Sequence, residues 1–344
     1  MSLVRTSGPC DEDRNGMLRI VFSAQDLART RIAAGPDPMW EALLSLCRLG
    51  NRDGQVLFGP WRRQVAPLVP ASTRLLTALA PPRGYSADFL TPATTSLSLT
   101  DQTEALRGTP PDRLRTDLER LTRLHPLRRT PSWFAELAHG RPAVLNGVAD
   151  AVESYFLACL EPHWSHVRAQ VDHDRMRRAC LLAEHGWASV FTSLHPSARW
   201  HYPVLELAYP TEHTLDLDGR GLLLQPSFFC QGAPTALAAP ELPPVLAYPI
   251  EHEFGWGTAA VRSRGQRRLA AVLGRTRANL LYALAEAPAS TTDAARRLGV
   301  PPPTASRQLT ALREAGLVAS HRYGNQVLHA VTPLGVALLN EQDR

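Results

Sequence analysis

Apolar positions recur at helical spacing through most of the chain ahead of Trp200, and the period shortens towards two only beyond it. Pro38 to Gly50 places Trp40, Leu43, Leu44 and Cys47 on one side of a helix. Pro110 to His125 turns Leu114, Leu118, Leu121 and Leu124 inward and its Arg and Asp residues outward, so its arginine run reads as a solvated, salt-bridged face. Two longer patterns follow. Arg141 to Cys159 repeats Val144, Val148, Val152, Tyr155, Phe156 and Cys159. His163 to Leu194 repeats Val167, Val171, Met176, Leu181, Leu182 and Val190, with a break expected near Asp172 to Asp174. Between Gly59 and Thr109 the chain is interrupted by Pro60, Pro67, Pro70, Pro81, Pro82, Gly84 and Pro92, which predicts short helices joined by turns.

Strand patterns are fewer. Leu18 to Phe22 is one, and Ser23 with Asp26 three residues later supplies the reciprocal cap of a helix start. Val204 to Tyr209, His213 to Leu217 and Leu222 to Leu224 are others, linked by turns that include Asp218-Gly219. Gly232 to Pro244 reads as a Pro and Ala loop. The fold class is therefore α+β, with a mostly helical N-terminal domain holding a small β-sheet.

The most specific pattern lies at the C-terminal end, from Thr291 to Val331. Thr291 or Thr292 caps a short helix with Ala294, Ala295 and Leu298 inward, and Gly299 ends it. Pro301, Pro302 and Pro303 suit a tight turn and the first turn of a second helix running towards Gly316. That helix keeps Ala305, Leu309 and Leu312 inward and leaves Thr304, Ser306, Arg307, Thr310 and Arg313 outward. Short hydroxyl side chains reach phosphates and base edges, and an Arg reaches guanine O6 and N7 in bidentate fashion, so this division suits a recognition helix. Leu317 to Arg322 and Val327 to Val331 then read as a hairpin turning at Tyr323-Gly324-Asn325-Gln326, whose Arg322, Tyr323 and Asn325 can touch the minor groove or the phosphates.

The run from Ala295 through Leu298-Gly299-Val300, Thr304, Ser306, Leu309, Leu312 and Ala315-Gly316-Leu317-Val318, followed by the wing, resembles the ArsR/SmtB-type winged helix-turn-helix transcriptional regulators of bacteria. Gly219 to Phe229, with Ala247-Tyr248-Pro249, resembles a region ahead of the winged helix in long actinobacterial regulators of this type. The resemblance implies a homodimer that binds double-stranded DNA, with two recognition helices over an inverted-repeat operator, and a ligand-responsive repressor located in the cytoplasm. The expected organisation is a disordered leader over 1–17, a sensor or dimerisation domain over 18–256, a linker over 257–265 and the DNA-binding domain over 266–344. Winged helices also dock proteins and accompany enzymes, so a small-molecule enzyme with an accessory winged helix is the rival reading.

Charge sharpens the picture. All 37 basic residues are Arg, and the net charge is +5. From Arg262 onward there are 12 Arg against 5 acids, a balance of +7, whereas the preceding residues hold 25 Arg against 27 acids, a balance of −2. The basic character thus belongs to the end that phosphate attraction requires. Five scattered cysteines form no paired motif, which argues for a reducing compartment and against a disulfide framework. The N-terminus has no signal-peptide pattern, and the most apolar run, Ala143 to Leu160, carries Asp150 and Glu153, so no membrane span is expected.

No cofactor, metal or catalytic residue is expected. Short members of the resembled family often sense metals through thiolates on the winged helix, but no Cys follows Cys230. His163, His166 and His173 with Asp172 and Asp174 are the best metal-like group, and read first as polar positions on amphipathic helices. Glu251-His252-Glu253 lacks further ligands, and His321 and His329 on the wing strands read as phosphate-facing or structural. Nucleophile-elbow, P-loop and zinc-protease motifs are absent from the sequence. The aromatic residues of the large domain, among them Trp133, Phe134, Trp164, Trp187, Trp200, Tyr202, Phe254 and Trp256, could wall a small-molecule effector site or simply fill the core.

Overall fold

The structure, a computed structural model, describes all residues except 1–15, 52–53, 83, 95, 126–130, 210–211, 238–241, 253–268, 287, 324–325 and 343–344. The expected linker, residues 1–15 of the expected leader, and Cys10, Glu253, Phe254 and Trp256 therefore lie outside the described residues, whereas Gly16 and Met17, expected in the disordered leader, already belong to the first strand, paired with Tyr209 and Ala208. Contacts divide the chain into two compact units, one of Met1–Asn51 with Val65–Ile250 and the other of Arg52–Gln64 with Glu251–Arg344.

The first unit opens with β1 (Gly16–Val21), which buries Leu18 and Ile20 in alternation, and α1 (Ala24–Arg29). Ser23 caps α1 as its spacing predicts: the Asp26 amide donates to Ser23 Oγ at 3.1 Å, and the Ser23 amide donates to Asp26 Oδ2 at 2.8 Å. After the short β2 (Arg31–Ile32), α2 (Pro38–Gly50) is buried over almost its whole circumference, so that Glu41, Ser45 and Arg48 enter the core with Leu44 and Cys47. Asp37 caps it by accepting from the Met39 and Trp40 amides.

α3 (Gln55–Val65), which belongs to the second unit up to Gln64, runs through Pro60, where the sequence predicts a break; one amide bond is forgone, and Phe58 and Trp61 are fully buried around it. α4 (Thr73–Leu79), α5 (Leu99–Arg107) and α6 (Pro111–Leu124) follow. On α6, Leu114, Leu118 and Leu121 are buried as their spacing predicts. Asp117 departs from the outward pattern. It is buried because the Phe89 amide and the Tyr85 hydroxyl donate to it at 2.7 and 3.2 Å, an arrangement that helical periodicity cannot foresee.

α7 (Ser132–Ala138) leads to α8 (Pro142–Cys159) and α9 (Trp164–Ser193). The change of direction in α9 falls at Gly186, with φ 70°, rather than at Asp172 to Asp174. The physical reason is local. Asp172 pairs with Arg175, and Asp174 with Arg177 and Arg178, at the spacings that support a helix, whereas a positive φ suits glycine.

Two four-stranded sheets complete this unit. One has the order β3 (Arg199–His201), β4 (Val204–Tyr209), β1, β5 (His213–Asp216), with β1 antiparallel to β4 and parallel to β5. The other has the order β2, β6 (Leu223–Ser227), β8 (Val245–Pro249), β7 (Thr235–Ala236), with β6 parallel to both β2 and β8. Phe22, Phe191 and Trp200 cluster at 4.8 to 5.3 Å between ring centroids, and Phe228 and Phe229 are fully buried. Tyr202 is the exposed exception, at 63%.

No single helix among the described residues is long and apolar enough to cross a membrane. The bent pair of Pro142–Cys159 and Glu161–Ser193 satisfies length and composition together, but α8 spends its apolar face, from Leu145 to Cys159, inside this unit.

Candidate nucleic-acid interface

The second unit builds a winged helix from the residues the pattern marks. α10 (Arg275–Glu286) supplies Ala278, Leu280, Leu281 and Leu284 to a core closed by Ala294, Leu309, Leu312, Leu317, Val318 and Leu339. α11 (Thr291–Leu298) is capped one residue earlier than expected, by Ser290, whose Oγ accepts from the Asp293 amide at 3.1 Å. Gly299 closes it in the left-handed conformation, φ 64°, as the sequence predicts.

The second helix of the motif, α12 (Pro302–Glu314), buries Ala305, Leu309 and Leu312. Ser306, Arg307 and Arg313 are exposed on its other side, while Thr304 and Thr310 are half-buried. The proline entry has a chemical consequence. Pro302 and Pro303 carry no amide hydrogen, and the Thr304 amide donates to Pro301 O at 2.9 Å, so this helix offers no row of free amides to a phosphate. Any contact at this end rests on side chains, with the Thr304 hydroxyl as the first available. Gln308, which the sequence pattern did not single out, accepts from Arg277 Nε at 2.8 Å and braces α12 against α10.

The wing is β10 (Val318–Tyr323) antiparallel to β11 (Gln326–Val331), in a register that sets Tyr323 opposite Gln326. A third strand, β9 (Ala289–Ser290), pairs with β11 through Ala289 and His329; two residues carry no period, so no pattern along the chain announces it. Arg322 and Tyr323 have their backbone at the end of β10, and Asn325 lies outside the described residues.

Of the two wing histidines, His329 is buried. Its Nε2 lies 2.9 Å from Thr291 Oγ1 and its Nδ1 lies 2.9 Å from Ser320 Oγ, which joins α11 to both wing strands. Burial, and then the charge of Arg313, push its pKa down, so it stays neutral at pH 7, donating through one ring nitrogen and accepting through the other. It is a brace rather than a phosphate contact. His321 is paired in register with Leu328.

The metal-like group is not assembled around a common point. Asp174 is buried and holds Arg178 at 2.9 Å, Arg177 at 2.8 Å and the Tyr248 hydroxyl at 2.9 Å, while His173 is exposed. Burial alone would raise the Asp174 pKa, yet Arg178 and Arg177 hold it below the usual carboxylate range. Glu251 faces Arg297 at 4.0 Å, and the edge of His252 meets the Phe58 ring at 5.7 Å. Among the described residues no group of three or more His, Cys, Asp or Glu is placed to hold a metal ion.

Residues 274–320 match the family described as bacterial regulatory protein, arsR family. No curated protein matches the chain. The matched segment runs from the start of α10 into β10, and therefore contains the whole helix-turn-helix with a large N-terminal region ahead of it. It supports a DNA-binding transcription regulator, and suggests a regulator rather than an enzyme.

Proposed function

We propose, from the arsR-family winged helix at the C-terminal end, that the chain is a ligand-responsive repressor that binds an inverted-repeat operator as a homodimer. One observation carries the reading: α12 presents Ser306, Arg307 and Arg313 outward from a helix whose opposite side is locked into the core by Ala305, Leu309 and Leu312. A rigid helix with exposed Arg and hydroxyl side chains is the form that major-groove readout takes.

In this reading Arg307 takes a guanine edge, with Ser306 and Thr310 beside it, and Thr304 and Arg313 reach phosphates. Arg322, Tyr323 and Asn325 form the wing contact. The excess of Arg over acid beyond Arg262 supplies the sequence-independent attraction. The domain of residues 18–256 senses a small molecule, and the linker of 257–265 passes the change to the reading head of 266–344. An effector acts only through unequal affinity for the DNA-bound and free forms, so its binding and operator binding oppose one another reciprocally.

Selection from random-sequence duplexes tests this reading. It should return an inverted repeat with half-sites about one helical turn, roughly 34 Å, apart. A pool without enrichment contradicts it.

A further inference from the structure

α9 carries a second pattern that its packing leaves unused. Val167, Val171, Asp174 and Arg178 are buried against the first unit. On the opposite side Ala169, His173, Met176, Cys180 and Ala183 follow each other at alternating steps of four and three residues, and every one is exposed, Met176 by 71%. Alternation of three and four is the spacing of a seam between two helices. It runs for about 21 Å along the axis.

The far end of this helix is only partly covered by its own unit. From Ala179 to Ser189 no residue is buried, although the stretch contains Leu181, Leu182 and Trp187. An isolated surface helix of this length ordinarily buries at least its own leucines.

We infer that this face of α9 is where a second copy of the chain docks, its α9 antiparallel to the first. The inference rests on the homodimer reading above and assigns its surface. Charge selects the occupant and its direction. His173 and Arg177 lie on the same flank of the seam as Glu184, which follows about three and two turns further along. An antiparallel second copy brings its Glu184 beside the first copy's His173 and Arg177, and the same contact recurs across the two-fold axis. A parallel copy sets this flank against the opposite flank of its partner, so Glu184 would not meet His173 or Arg177. Arg177 also donates to Asp174 at 2.8 Å, which its five N–H donors allow alongside a partner carboxylate. The stretch 253–268 of the same chain is a poorer occupant for this flank, because it brings Arg262, Arg264, Arg267 and Arg268 to a flank that already carries Arg177. Small side chains at Ala169, Cys180 and Ala183 permit the two helices to approach closely.

Sedimentation of the full chain over a concentration series, combined with cross-linking of the Cys10→Ser variant by a bismaleimide of about 8–10 Å span, which matches the separation of packed helix axes, tests the assignment. The expected result is a dimer whose dissociation constant rises by about tenfold or more in Met176→Glu and again in Ala183→Glu. Leu68→Glu, at a site 55% exposed elsewhere in the first unit, should leave it unchanged. The cross-link should form in Cys10→Ser and vanish when Cys180→Ser is added. Circular dichroism confirms that each variant is folded, and the two seam variants are independent of one another. A dimer that persists undiminished in both, with no cross-link, overturns the α9 surface while leaving homodimerisation intact. A wild-type chain that stays monomeric throughout the series overturns both.

Discussion

The Phe228 amide donates to Glu41 Oε1 at 2.7 Å, which ties the first turn of α2 to the turn that follows β6. The Phe229 amide and the Ser227 hydroxyl donate to Glu41 Oε2, each at 3.0 Å, so one carboxylate satisfies three donors in a fully buried place. Burial pushes the Glu41 pKa up to about 7 in spite of those bonds, and pushes that of its neighbour Asp37 to about 6.

A pH dependence of stability follows from these two groups. Between the ordinary value of 4.5 and about 7, folded Glu41 keeps a proton that the unfolded chain has released. Stability therefore falls as pH rises through that window, by about 3 kcal/mol for Glu41, and levels off above it. Urea denaturation between pH 4 and 8 should show this fall, and Glu41→Gln should reduce its slope. Glu41→Ala leaves three buried donors without an acceptor and should cost about 3 to 5 kcal/mol at any pH in the range.

His329 has the opposite dependence. Its folded pKa is depressed, so the neutral ring's contribution is present above the unfolded value of 6.5 and is lost as pH falls below it. His329→Ala should destabilise the second unit by about 1 to 2 kcal/mol through its bonds to Thr291 and Ser320. Amide-exchange protection factors of β10 and β11, each taken relative to the intrinsic rate at its pH, measure this at pH 7.5 and pH 5.5, with lower protection expected at the lower pH.

Two glycines with positive φ should respond unequally to a methyl group. At Gly299, φ 64°, an added Cβ meets nothing within 4 Å, so Gly299→Ala costs only backbone strain, about 1 kcal/mol. At Gly221, φ 74°, it falls 2.7 Å from the Arg29 backbone, and the Gly221 amide already donates to Asp26. Gly221→Ala should therefore lower the melting temperature several degrees more than Gly299→Ala.

For DNA recognition, Arg307→Ala should cost about 1 to 3 kcal/mol at one base position and relax specificity there. Arg322→Ala should weaken all duplexes more evenly and flatten the salt slope. Anisotropy with the selected operator and its single-base variants separates the two patterns. Loss of neither affinity nor specificity in both variants would remove these residues from the interface.

Much of the winged helix is legible in the sequence because its signals are local. Glycine at 299, prolines at 301 to 303 and the inward set Ala305, Leu309 and Leu312 act within a few residues of one another, and their elements lie where the pattern puts them. The large unit is legible only as elements. Val204–Tyr209 is a strand to the residue, yet nothing in the period says that it pairs with Gly16–Val21 from the other end of the unit. Buried charge is the least legible feature. Glu41, Asp117 and Asp174 each sit in a helix whose polar residues point outward by pattern, and each is held inside by donors far away in sequence. α12 exposes Ser306, Arg307 and Arg313 as their spacing predicts and half-buries Thr304 and Thr310, whereas a site built from distant aromatic residues has no local signature.

The central claim is sequence-specific DNA binding by the C-terminal unit. Anisotropy of the full chain with DNA from upstream of its own gene, against a scrambled duplex and across a salt series, tests it most directly. The account predicts binding to the specific duplex at least about a thousandfold tighter than to the scrambled one, with affinity falling steeply as salt rises. Equal, weak binding to both duplexes, together with a random-sequence selection that enriches no site, would contradict it.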